Sequence, residues 1–263
     1  MSPTACVLGL DLGTSSAKAV LLDTGGAVLA QASAGYPVTS AQPGYAESDP
    51  RLWWAAVTTC AREAVAAAGG PPPVAIGLSG QMHGLVMTSA DGRALRPALL
   101  WADSRATGSL RAYRDLGRAA LDRLANPLFP GMAGPMLAWV AAYEPDVYAA
   151  ARWALSPKDW LRARLTGEIG AEPSDASATL LYDVAGDRWD LEVVEALSLD
   201  AGLLAPLLPS SAAVAGRLTA SAAAELGLPA GLPVAAGAGD TAAAVLGSGV
   251  FGASGIQLTV GTG

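Results

Sequence analysis

Three short segments of this sequence join a carboxylate or an imidazole to a glycine-containing turn, and each follows an apolar run of strand length. The first is Gly9-Leu10-Asp11-Leu12-Gly13-Thr14-Ser15. A carboxylate at the end of a buried strand is followed there by a turn whose N–H groups and hydroxyls suit phosphate oxygens. That carboxylate suits a hydrated Mg2+, and Lys18 adds positive charge. A plain hairpin turn in which Asp11 bonds its own loop accounts for the same residues. The second segment, Gly237-Ala238-Gly239-Asp240-Thr241-Ala242, sits between a strand and a helix and matches the dinucleotide fingerprint G-x-G-x-x-A. That fingerprint wants an acid about 20 residues on for the ribose, and Thr241 to Gly263 contains no Asp or Glu. A hydride-transfer enzyme is therefore disfavoured, and a helix N-cap is the default role of Asp240. The third is Gln81-Met82-His83-Gly84, which holds the one histidine of the chain. Imidazole at a strand end can bond a sugar hydroxyl while Met82 packs on its carbon face, although a lone histidine is more often structural. With one His and two Cys, a His-based metal cluster or a Cys/His nucleophile pair has no support.

The elements that carry these segments follow from spacing. Cys6–Leu10, Ala19–Leu22 and Val28–Ser33 are apolar runs separated by Gly13-Thr14-Ser15-Ser16 and Asp23-Thr24-Gly25-Gly26, which predicts a meander of three strands rather than a βαβ unit. Ser48-Asp49-Pro50 opens a helix with acids in its first turn, and Gly69-Gly70 ends it. Leu52, Trp53, Ala56, Val57, Cys60, Ala64 and Ala67 recur at helical spacing, so Cys60 reads as core packing. Val74–Leu78 is a buried strand, and Leu85–Thr88 with Leu95–Trp101 flanks the turn Ala90-Asp91-Gly92-Arg93. The stretch from Asp103 to Glu225 reads as mostly helical, with Ser156-Pro157-Lys158-Asp159 opening one helix. Pro233–Ala236 is a strand, Gly237-Ala238-Gly239 a tight turn, Asp240–Leu246 a helix and Ile256–Val260 a last strand.

Composition bounds the class. The 263 residues carry 16 Lys+Arg against 23 Asp+Glu, a net charge of −7, and no basic cluster, which argues against nucleic acid. Two cysteines exclude a disulfide scaffold and fit a reducing cytoplasm, and no basic leader precedes the first strand. The mean hydropathy of +0.37 reflects 57 alanines. Leu124–Tyr143 has no charge over 20 residues but contains Pro127, Pro130 and Pro135, so it reads as a loop entering a short helix rather than a membrane span.

Taken together, these segments resemble the FGGY carbohydrate kinases. Leu8-Gly9-Leu10-Asp11-Leu12-Gly13-Thr14-Ser15-Ser16-Ala17-Lys18 is similar to that family's first phosphate motif, and Gly80-Gln81-Met82-His83-Gly84 to the sugar-site motif of its xylulokinase branch. Leu99 to Arg105, Ser156 to Leu161 and Ser174-Asp175-Ala176-Ser177 resemble the same branch. Gly237 to Ala243 resembles the segment that bears the catalytic base, and Gly261-Thr262-Gly263 the start of a second phosphate loop. The resemblance implies an α/β fold of the actin/hexokinase-like (ribonuclease H-like) type, a mixed sheet flanked by helices. It implies a sugar-binding domain over residues 1–254 and the start of a nucleotide-binding domain at 255–263. It implies ATP-dependent phosphorylation of D-xylulose in the cytoplasm, with ATP and Mg2+ as cofactors, no nucleic-acid or membrane partner, and a possible homodimer. On this resemblance Asp240 is the general base and Asp11 the Mg2+ and phosphate organiser. Gln81, Met82 and His83 contact the ketose with Asp240. Gly13, Thr14, Ser15, Lys18, Gly261, Thr262 and Gly263 line the nucleotide phosphates. No role follows for Trp101, Asp103, Arg105, Lys158 or Asp175. A kinase for another sugar or polyol, or a sugar-binding fragment without turnover, fits the same motifs; a zinc-dependent sugar kinase does not fit two cysteines.

Overall fold

The computed structural model describes residues 5–70 and 72–249. The expected strand Ile256–Val260, the Gly261-Thr262-Gly263 turn and the boundary at 254/255 lie outside them. The meander is present as β1 (Cys6–Leu12), β2 (Ser16–Asp23) and β3 (Val28–Gly35), paired antiparallel in order. Period-2 alternation turns Leu8, Leu10 and Leu12 inward. The Asp23 carboxylate accepts from the Gly25 and Ala27 amides and closes the second turn.

Helix α1 (Pro50–Ala68) covers this sheet. Asp49 caps it by accepting from the Arg51 amide, Pro50 occupies its first turn, and Gly69 ends it at φ 58°. The acid is the cap itself; the first turn holds none, contrary to expectation. Trp53, Ala56, Val57, Cys60 and Ala64 are buried, whereas Leu52 and Ala67 point outward. Burial also pushes the Cys60 thiol up to about 11, as a packing residue should behave.

The chain then returns as β4 (Ile76–Gly80), parallel to β1 with Leu8 opposite Ile76 and Leu12 opposite Gly80. Near the end of the described chain, β5 (Val214–Arg217) pairs antiparallel with β6 (Pro233–Ala235), and β6 lies parallel to β4. The order across the sheet is β5-β6-β4-β1-β2-β3. Residues 237–239 are not simply a turn. Gly237 turns at φ 79°, and Ala238–Gly239 forms a short strand, β7, that pairs parallel with the end of β4.

The segment between β4 and β5 is a helical layer with small ribbons. The expected hairpin of 85–88 with 95–101 is mostly replaced by other partners. Val86–Thr88 pairs with Trp153–Leu155, and Ala98–Leu99 with Glu47–Ser48; only single bridges Leu85–Leu99 and Thr88–Ala94 remain. The uncharged stretch is a loop entering the helix Ala133–Tyr143. Among the described residues, no helix is long and apolar enough to cross a membrane. Helix α2 (Pro157–Thr166) is capped by Ser156, and α3 (Asp240–Gly247) follows β7 directly.

Candidate active site

Gly80 pairs with Leu12 on one side and with Gly239 on the other. Three parallel strands, β1, β4 and β7, therefore end side by side. The residues that follow them emerge at one edge of the sheet, where open α/β sheets place their ligands. The sequence segments around Asp11, His83 and Asp240 are brought together by this register.

The first turn is held from beneath. The Gly13 carbonyl accepts from the Tyr36 hydroxyl at 2.5 Å and from Gln81 Nε2 at 3.0 Å, while the Gly13 amide donates to the Ser16 carbonyl. Burial, then the adjacent Asp11 carboxylate, push the Tyr36 hydroxyl well above its ordinary range, so it remains a donor. Gln81 is 1% exposed: its Nε2 braces the Gly13 turn from inside, while its Oε1 is buried without a hydrogen-bond partner. Thr14 Oγ1 accepts from Trp101 Nε1 at 2.9 Å, which leaves the threonine proton to donate elsewhere. Ser15 is exposed at the tip of the turn. Asp11 faces Lys18 across the β1–β2 pair, with Oδ2 4.0 Å from Lys18 Nζ. Its other oxygen is buried without a hydrogen-bond partner. One underused carboxylate beside a turn is a donor set that fits hydrated Mg2+, which takes one or two carboxylates and otherwise keeps waters and phosphates. Among the described residues no cluster of three or more His, Cys, Asp or Glu forms a protein-only metal cage.

Met82 and His83 leave β4 toward β7. A Cβ on Gly239 would lie 2.6 Å from Met82 Cγ and 2.8 Å from its sulfur, so only glycine lets Met82 rest on the backbone beside Asp240. His83 adopts φ 71° and places Nδ1 2.9 Å from the Ala178 carbonyl. The carbonyl can only accept, so Nδ1 carries the proton of this bond, and in the neutral ring Nε2 is left as the acceptor for a ligand.

Asp240 is exposed at the first position of α3; Gly239, not Asp240, is the cap residue. Its Oδ1 accepts from the Thr241 amide at 2.7 Å and from the Thr241 hydroxyl at 3.3 Å. Oδ2 has no partner among the described residues and can take a proton from a hydroxyl delivered to this edge.

Residues 6–247 match the N-terminal domain of the FGGY family of carbohydrate kinases. The chain belongs to this family. The xylulose kinase of Escherichia coli K12 is 36% identical over 257 residues, a stretch covering 97% of this chain and 52% of the relative. The xylulose kinase of Rhodospirillum rubrum superposes with a TM-score of 0.88 at 30% identity over 94% of this chain and 51% of that one. The gluconate kinase of Lactobacillus acidophilus superposes with a TM-score of 0.84 at 25% identity over 90% and 48%. The mixed sheet with flanking helices is thus the FGGY N-terminal, actin-like architecture. This FGGY chain spans about half the length of the curated relatives it matches.

Beneath the edge lies a feature of this FGGY domain that sequence reasoning left without a role. Lys158, Asp159, Arg162, Glu172 and Asp175 are all 2% exposed or less. Lys158 Nζ donates to Asp159 Oδ1 at 2.8 Å and lies 3.2 Å from Asp175 Oδ2 and 3.6 Å from Glu172 Oε1; Arg162 Nη1 donates to Asp159 Oδ1 at 2.6 Å. Two cations thus face three carboxylates. Asp103 and Arg105 form a second buried pair, bidentate, that ties down Ala46 and Glu47.

The cluster makes stability depend on pH. Burial pushes the Asp175 carboxyl up to about 7 against the pull of Lys158, and Asp159 and Glu172 add to the rise. Between the usual carboxylate range and about 7, the folded chain keeps a proton that the unfolded chain releases. The stabilisation from Asp175 is therefore complete at low pH and lost as pH rises toward that value. Asp159 has the opposite sign: burial is outweighed by Lys158 and Arg162, its carboxyl is held down, and its contribution is lost on acidification. Asp175→Asn is expected to melt at temperatures that differ less between about pH 5 and about pH 8 than those of the parent chain. An unchanged difference in thermal scans would remove Asp175 as the source.

Proposed function

We propose that this chain is the sugar-binding and base-bearing half of an ATP-dependent kinase for D-xylulose, transferring the terminal phosphoryl group to the primary hydroxyl at C5. The supporting observation is the register that ends β1, β4 and β7 together, so that Asp11, Met82 with His83, and Asp240 share one edge. In this reading His83 Nε2 accepts a sugar hydroxyl, and Met82 packs on the carbon face. Asp240 Oδ2 takes the proton of the attacking hydroxyl as the bond to phosphorus forms and the bond to the leaving oxygen breaks. The Gly13–Ser15 turn and Lys18 receive the phosphates, and Asp11 holds Mg2+ through its water shell. Mg2+ supplies neutralisation of the charge on the transferring phosphates. The fragment Gly261-Thr262-Gly263 belongs to the same reading as the start of a second phosphate loop.

The sugar assignment rests on Gln81-Met82-His83-Gly84 and on relatives named as xylulose kinases. Gluconate kinase shares the fold, so gluconate is the competing substrate. Calorimetry on this chain separates them: D-xylulose is expected to bind, and His83→Ala to weaken it by about 1–3 kcal/mol, the cost of a lost polar contact in a part-buried site. Preferential binding of gluconate would overturn the D-xylulose assignment, and unchanged D-xylulose affinity in a folded His83→Ala variant would remove His83 from the sugar site.

A further inference from the structure

We infer that the buried cluster acts as a positioning device for Asp240, with Ser174 as its contact to the base-bearing segment; this rests on Asp240 being the base. The segment from Ala236 to Gly239 that delivers Asp240 is gripped at successive backbone groups. The Ala236 carbonyl accepts from Lys158 Nζ at 3.3 Å and from Arg162 Nη1 at 3.0 Å. The Gly237 amide donates to the Ser211 carbonyl at 3.0 Å. The Gly239 amide donates to Ser174 Oγ at 2.9 Å, and that hydroxyl donates onward to Glu172 Oε1. Glu172 is fully buried, and its Oε2 also accepts from the Ser211 hydroxyl at 2.9 Å and the Ser174 amide at 3.0 Å.

Every grip leads back to the same carboxylates and cations. Lys158 and Arg162 hold Asp159, and Lys158 faces Glu172 and Asp175. Helix packing alone does not require this arrangement, because apolar side chains of similar volume usually stabilise a core at least as well as buried ions. Ionic hydrogen bonds give instead a fixed location for the peptide units just before Asp240, and their geometry is directional. A base displaced by a fraction of an ångström from the attacking hydroxyl loses rate without losing the sugar. Met82 rests on Gly239 from the other side, so the same peptide is fixed between the sugar contact and the cluster.

The test uses Ser174, because its change removes the acceptor of the Gly239 amide and one donor to Glu172 and adds no charge. In a protein of the relatives' full length, Ser174→Ala is expected to lower kcat by about 10- to 100-fold with the sugar KM within about twofold. Ser174→Thr, which keeps the hydroxyl, is expected to restore most of the rate. In the 263-residue chain the Gly239 amide is expected to lose hydrogen-exchange protection in Ser174→Ala and keep it in Ser174→Thr. Should Ser174→Ala fail to fold, Ser174→Cys keeps the volume with a weaker acceptor and reads the same split. A folded Ser174 variant with parental kcat, alongside an inactive Asp240→Asn, would overturn the positioning role and leave the base assignment standing. A fully active Asp240→Asn would overturn both.

Discussion

Asp240→Asn is expected to lower kcat for sugar phosphorylation by about 10²–10⁴-fold, the usual loss when a general base is removed, with sugar affinity nearly unchanged. The geometry explains why the two quantities separate. Oδ1 is already engaged by the Thr241 amide and hydroxyl, and an asparagine oxygen can keep both bonds. What changes is the other position, where an amide nitrogen cannot accept the hydroxyl proton. The exposed carboxylate contributes little to folding, so thermal scans should move little. Steady-state kinetics in a chain of the relatives' full length, paired with calorimetry, checks this. Near-parental kcat, or a defect that follows the melting temperature, would show that Asp240 serves only the start of its helix.

The second large effect is on stability. Lys158→Met keeps most of the side-chain volume but leaves Asp159, Glu172 and Asp175 with Arg162 as the only remaining cation in the cluster. Stranding buried charge in this way costs about 3–5 kcal/mol, which a urea titration resolves. The coupling has a definite sign. Lys158 is held charged because Asp159, Asp175 and Glu172 outweigh both its burial and the repulsion of Arg162. Removing one carboxylate should therefore return part of the loss, and Lys158→Met with Asp175→Asn is expected to be more stable than Lys158→Met alone. A loss below about 1 kcal/mol, the size of a surface pair, would mean that the cluster is not the buried network described.

Much of the frame was legible because its signals are local. The three-strand meander follows from apolar runs between two polar turns, and α1 from a cap, a proline and a terminating glycine. The strand-end positions of Asp11 and His83 were readable for the same reason. Other features depend on partners far away in sequence. Ala238–Gly239 reads as turn from composition, yet it joins the sheet because β4 offers unpaired edge groups there. The bond from Gln81 to the Gly13 carbonyl, 68 residues earlier, is likewise invisible to local spacing. Lys158, Asp159 and Arg162 on one helix suggest a solvated face by charge alone; Glu172, Asp175 and the Ala236 carbonyl are what allow them to be buried. Their one sequence signal was the polar start of α2, Ser156-Pro157-Lys158-Asp159, set between apolar stretches.

The central claim is that the joint end of β1, β4 and β7 receives the sugar with its reacting hydroxyl at Asp240. A crystal structure of this chain with D-xylulose tests it most directly. The expected result is one sugar at that edge, a hydroxyl on His83 Nε2, Met82 against its carbons, and the C5 hydroxyl within hydrogen-bond distance of Asp240 Oδ2. A sugar bound at another face, or at this edge with every hydroxyl turned away from Asp240, would contradict it.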